Sequence, residues 1–132
     1  MKNYIADTCA WIDYFNEERE LKAPLEENTI KTPAIVVTEI VRVLHKKKFA
    51  PEKIRACLNF VFKHSIILPL DFGQAAKSGE IAFREKMHLG EAIVYSYASQ
   101  ENEVLTTDHH FKGKSFVKLI VVPGFIDSNR IW

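Results

Sequence analysis

One feature limits this chain more than any other: an apolar run that stops on an acid occurs twice, near the two ends of the sequence. Tyr4-Ile5-Ala6 stops at Asp7, and Val104-Leu105-Thr106-Thr107 stops at Asp108. Short apolar runs bounded by polar residues are expected as buried strands. Between them, strand-like and helix-like segments alternate. Trp11, Ile12, Tyr14 and Phe15 follow Asp7 as a helix, and charged residues 16–27 form a helical connection packed through Leu21 and Leu25. A short strand is expected at 29–33, with Thr32 as N-cap and Pro33 at the first helical position of a helix reaching about Lys48.

Pro51 opens a further helix, in which Ile54, Cys57, Leu58, Val61 and Phe62 recur at i, i+3, i+4, i+7 and i+8 as an amphipathic stripe. Residues 66–70 are continuously apolar, which predicts a strand covered on both faces. Asp71 can cap the next helix, packed through Ala75, Ala76, Gly79, Ala82, Phe83 and Met87. Another helix is expected from Leu89 to Gln100, and a last strand from Leu119 to Val122, stopped by Pro123-Gly124. Strands alternating with helices imply a single α/β domain over residues 1–132: a three-layer α/β/α sandwich around a mainly parallel sheet. Ligands of such sheets bind beyond the carboxyl ends of the strands, where Asp7 and Asp108 fall.

Two further acids suit the same site. On a helical wheel Glu39 has Val43, Val36 and Ile40 on one side and Lys46 and Arg42 on the other, the seam between core and solvent. Glu91 lies in the first turn of an otherwise apolar helix. Each acid has a plainer account. Asp often caps helices, Glu39 could pair with Arg42 at i+3, and a helix dipole stabilises Glu91. The set of four points to a hard divalent cation, Mg²⁺ or Mn²⁺. Crowded carboxylates repel unless a cation compensates, and oxygen donors suit these ions.

Competing chemistries lack their motifs. The histidines show no zinc spacing, and no nucleophile elbow, Walker A or dinucleotide fingerprint occurs. A dehalogenase-type phosphatase needs a second Asp at position 9, which is Cys9. A phosphoacceptor signalling domain needs a lysine after the last strand, where Pro123 stands. The two cysteines form no C-x-x-C pair, which argues for a reducing, cytoplasmic setting. The N-terminus is unlike a signal peptide, and no apolar run is long enough for a membrane span. If four acids gather in one site, 13 acids remain against 18 bases. That excess would suit a polyanion. Lys46 and Lys47 close the helix of Glu39, and Lys112, Lys114 and Lys118 follow Asp108, positions suited to RNA phosphates. His109, His110 and Phe111 could stack on unpaired bases, although Phe111 equally suits the core.

Four segments in order, YIADTCAWIDYF, TPAIVVTEIVRVL, LGEAIVYSYA and VLTTDHHF, make the chain resemble the PIN-domain family, in particular VapC-type toxin ribonucleases. The resemblance implies metal-assisted RNA hydrolysis leaving a 5′-phosphate and a 3′-hydroxyl, a homodimer, and a small antitoxin that blocks the site. It assigns Asp7, Glu39, Glu91 and Asp108 as catalytic metal-site acids, with Thr106 as a supporting hydroxyl. Two departures stand out: Glu91 replaces the more usual Asp, and His110 stands where an acid or amide is common. A processing nuclease without an antitoxin, or a degenerate PIN fold that only binds RNA, is the alternative. Asp13 is read as structural.

Overall fold

The computed structural model describes residues 1–123. Five strands form one parallel sheet: β1 (Asn3–Ala6), β2 (Thr29–Pro33), β3 (Ile66–Leu68), β4 (Glu103–Thr106) and β5 (Val117–Leu119). Helices α1 (Thr8–Phe15), α2 (Lys22–Glu26), α3 (Ala34–Lys46), α4 (Pro51–His64), α5 (Phe72–Glu85) and α6 (Leu89–Tyr95) flank it as an α/β/α sandwich. The strand order is β3-β2-β1-β4-β5. The chain therefore winds outward from β1 in one direction, then returns to β4 on the other side. Where strand order reverses, the connections diverge and leave a crevice at the carboxyl edge. Here that crevice opens between β1 and β4, whose register pairs Ala6 with Leu105.

The core explains why β1 and β4 are central. Ile5, Ala6, Val104 and Leu105 are essentially inaccessible, as are Trp11 and Ile12 of α1 and Val36, Ile40, Val43 and Leu44 of α3. Trp11 also has a polar handle, as buried indoles do. Its Nε1 donates to Thr32 Oγ1 at 3.1 Å, and Thr32 donates to Ser65 Oγ at 2.9 Å. Leu21 and Leu25 are buried as the sequence implies.

Several expectations are corrected. Thr32 is not a helix cap: it belongs to β2, its hydroxyl is committed to Trp11 and Ser65, and Pro33 takes the cap position of α3. β3 lies at the sheet edge with Ile66 54% exposed, so its apolar run is not covered on both faces. On α4, Ile54, Cys57 and Val61 are buried but Phe62 points outward.

The buried face of α5 holds Ser78 and Ile81, while Phe83 is 86% exposed. α6 stops at Tyr95 rather than Gln100. Ser96 Oγ bonds back to Ile93 O at 2.6 Å, and Ser99 and Asn102 then exchange backbone hydrogen bonds in a reversal of the chain. The last strand among the described residues is Val117–Leu119 rather than 119–122; Ile120 adds one more bond, to Thr106 O. Of the expected Pro123-Gly124 stop, Gly124 lies outside the described residues.

Candidate active site

Beyond the carboxyl ends of β1 and β4 lies a cleft of ≈ 380 Å³ lined by Asp7, Glu39, Glu91 and Asp108 together with Thr8, Cys9, Arg42, Val43, His88, Gly90 and His110. The four acids arrive from four parts of the chain. Asp7 and Asp108 close adjacent parallel strands, so the sheet brings them together; α3 supplies Glu39 and α6 supplies Glu91.

Asp7 is the buried centre. Its Oδ1 accepts the Thr8 N–H at 2.8 Å, capping α1, and its Oδ2 accepts the Thr106 hydroxyl at 2.8 Å. The Cys9 thiol approaches Oδ2 at 3.5 Å. Burial pushes the Asp7 carboxyl up to about 6; hydrogen bonds from Thr106 and Thr8 oppose the rise, and the charges of Asp108 and Glu39 add to it. Thr106 also accepts the Asp108 N–H at 3.0 Å, so one buried hydroxyl holds both strand-end acids.

Glu39 is held across the cleft by the Thr8 hydroxyl, which donates to Oε1 at 2.7 Å. Its other oxygen packs on Gly90, where an added Cβ would stand 3.0 Å from Oε2. Glu91 forms a capping box at the start of α6, accepting the His88 N–H at 3.4 Å, and its Oε2 lies 3.0 Å from His110 Nδ1. Asp108 accepts the His110 N–H at 2.9 Å and starts the 3-10 turn His109–Phe111. Both strand-end Asp residues are therefore caps and cleft residues at once. Asp13, fully buried, accepts the Thr107 hydroxyl at 2.6 Å.

Among the described residues, two sets each bring one donor atom per residue within 4.8 Å of one another: Asp7, Cys9 and Asp108, and Glu91, Asp108 and His110. Glu39 lines the same cleft but falls outside both. Crowded carboxylates with an unfavourably buried member fit a divalent cation, whose charge would offset burial and repulsion together.

Lys46, Lys47, Lys112 and Lys114 do not line the cleft; the cation that does is Arg42. Lys114 is held by Glu85 at 3.1 Å. Phe111 belongs to the core. Thr8 and Gly90 escaped the sequence reading, and Arg42 entered it only as a possible partner of Glu39. The signal for Thr8 was its place directly after a strand-end acid, and for Arg42 its place one turn beyond Glu39.

The PIN domain family profile matches residues 4–117, and the chain belongs to that family, whose members are typically nucleases. Two solved structures share the fold. A toxin–antitoxin complex from Klebsiella pneumoniae superposes with a TM-score of 0.69 at 24% identity, covering 88% of this chain and 96% of that one. VapBC2 from Rickettsia felis, bound to a DNA fragment from its promoter, gives 0.71 at 18% identity with the same coverage. No curated protein sequence matches. No helix among the described residues is long and apolar enough to cross a membrane.

Proposed function

We propose that the chain is a metal-dependent endoribonuclease, the toxin of a toxin–antitoxin pair, acting in the cytoplasm. Asp7, Glu39, Glu91 and Asp108 are its catalytic acids and hold Mg²⁺ or Mn²⁺. The observation that carries this reading is the convergence of four carboxylates from four elements on one cleft at the point where strand order reverses. Capping accounts for single acids but not for four crowded together, which repel one another, so a cation and a substrate give the better account of the set.

When bound, the cation supplies an activated water and neutralises charge developing on a phosphoryl oxygen. The chain's own residues set the geometry. Thr106 and Thr8 fix the Asp7 carboxylate, and Thr8 also fixes Glu39, so the two acids cannot drift apart. Arg42, one turn beyond Glu39, offers a guanidinium to a phosphate entering the cleft. Lys46, Lys47 and Lys112 extend that positive field outside it, in the way single-strand binding surfaces track a backbone.

The partners proposed are an RNA substrate, a small antitoxin and a second copy of the chain. The relatives described as toxin–antitoxin complexes support the antitoxin. Phe62, Phe72 and Phe83, 73%, 92% and 86% exposed, provide apolar surface for protein contacts. An antitoxin Arg or Lys set among the four acids would block the cleft. The test is incubation of single-stranded RNA with the purified protein, in Mn²⁺ and in EDTA, beside Asp7→Asn. Cleavage confined to wild type with Mn²⁺ is expected; equal cleavage in all three overturns the reading.

A further inference from the structure

The two donor sets of the cleft differ in chemistry. The inner one places Asp7 and Asp108 beside a buried thiol, and the outer one combines Glu91 and Asp108 with an imidazole. In the outer set His110 Nδ1 stands 3.0 Å from Glu91 Oε2 and 3.5 Å from Asp108 Oδ1. The ring nitrogen therefore faces both carboxylates.

This arrangement is built rather than accidental. The His110 backbone N–H donates to Asp108, so one short turn sets the carboxylate and the point from which the His110 side chain, 66% exposed, leaves the backbone. Phe111, with no exposed surface, anchors that turn in the core. Glu91 is oriented from the opposite wall by its capping box at the start of α6. Ligands oriented by their neighbours are what a metal site requires.

Mg²⁺ prefers oxygen ligands and keeps its waters, so an imidazole adds little to its binding. Later first-row cations bind nitrogen more tightly, and Zn²⁺ takes His beside carboxylates readily. We propose that His110 is a metal ligand, and that Glu91, Asp108 and His110 form a site selecting a late first-row cation of the Zn²⁺ type over Mg²⁺. This deepens the metal-nuclease reading and rests on its metal-binding part alone: the cleft binds cations, and its outer position is nitrogen-selective.

The test is calorimetric titration of the chelator-stripped full chain with ZnCl₂ and, separately, MgCl₂, with no RNA present. Wild type, His110→Ala, His110→Asp and the neighbouring control His109→Ala are compared. His110→Ala is expected to weaken Zn²⁺ binding by at least about 10- to 100-fold, the range for loss of a partner behind a ligand and so a lower bound for loss of the ligand itself, while Mg²⁺ binding barely changes. His110→Asp is expected to narrow the Zn²⁺/Mg²⁺ preference by strengthening Mg²⁺. With Co²⁺ as spectroscopic probe, the visible band of wild type should shift in His110→Ala and not in His109→Ala. Equal Zn²⁺ affinity in wild type and His110→Ala overturns the proposal, as does an equal loss in His109→Ala. Binding is read here and cleavage only in the RNA assay described above, so the two readings fail separately. RNA cleavage without a His110 effect on Zn²⁺ sinks only this inference. Zn²⁺ selectivity that depends on His110, without any cleavage, supports it and sinks the nuclease.

Discussion

Thr106 donates its hydroxyl to Asp7 Oδ2 at 2.8 Å from within the neighbouring strand, and the same oxygen accepts the Asp108 N–H. One buried side chain thus ties together the acids that end β1 and β4. Thr106→Val keeps the shape and removes both bonds. Each buried group left unsatisfied costs about 1–3 kcal/mol. Urea denaturation at pH 7 in EDTA should show a loss of that order, and a variant as stable as wild type would mean water replaces the hydroxyl.

Asp7 predicts a pH dependence of the metal-free protein. Its carboxyl is raised from 3.8 to about 6, chiefly by burial. Below pH 3.8 the group is protonated whether folded or unfolded, and it carries no penalty. Between the two values the folded chain keeps a proton that the unfolded chain has lost, so stability falls as pH rises. Above the folded value the penalty is complete, about two pK units or roughly 3 kcal/mol. Asp7→Asn removes it. The variant should match wild type near pH 4 and exceed it by up to that amount at pH 7, in denaturant titrations with EDTA. A gap that does not grow with pH contradicts the burial assignment.

Gly90 separates stability from the site. Its missing Cβ leaves room for Glu39, whose Oε2 would be 3.0 Å away. Alanine is the better helix former by up to about 1 kcal/mol, and the Glu39 carboxylate can yield to it. Gly90→Ala should therefore melt no lower than wild type while Mn²⁺-dependent cleavage drops about tenfold, as expected when a ligand is re-aimed. Unchanged cleavage would show that the Glu39 position is not critical.

Charge crowding can be read from melting. Asp108 raises the Asp7 carboxyl through its charge, and Asn at 108 keeps an oxygen for capping His110. In EDTA, Asp108→Asn should melt a few degrees above wild type. Mn²⁺ at about 100 times its Kd should stabilise wild type by about 2.7 kcal/mol, and the variant by far less. A variant melting lower in EDTA would mean that Asp108 acts chiefly as a cap.

How much of this could be read from the sequence depended on whether a residue's role was local. Asp7 and Asp108 were legible because an apolar run and its polar stop are local signals, and a parallel sheet aligns such stops. Glu39 was legible from the wheel of one helix. The Thr8–Glu39 bond, the close approach of Gly90 to Glu39 and the place of Arg42 in the cleft wall were not, because they exist only once the helices are packed together.

The α5 face misled for a related reason. Phe83 dominates any hydrophobicity count, yet Ile81 and Ser78 face inward; the Ser78 hydroxyl donates to Gln74 O, and the Gln74 amide donates to Ser96 Oγ at 2.7 Å just beyond α6. Edge position misled at β3, where apolar composition cannot tell an interior strand from the last one. Thr32 carried the signature of a cap, but a buried indole took its hydroxyl.

The central claim is that the four-acid cleft hydrolyses RNA with a divalent cation, and the ends of the cleaved RNA test it most directly. Metal-assisted attack by water leaves a 5′-phosphate and a 3′-hydroxyl, whereas attack by the neighbouring 2′-hydroxyl leaves a 2′,3′-cyclic phosphate. End-labelled RNA cut by the purified protein in Mn²⁺ should carry the first pair of ends, and cutting should vanish in EDTA and in Asp7→Asn. Cyclic phosphate ends, produced equally with and without Mn²⁺ and by both proteins, would contradict the account.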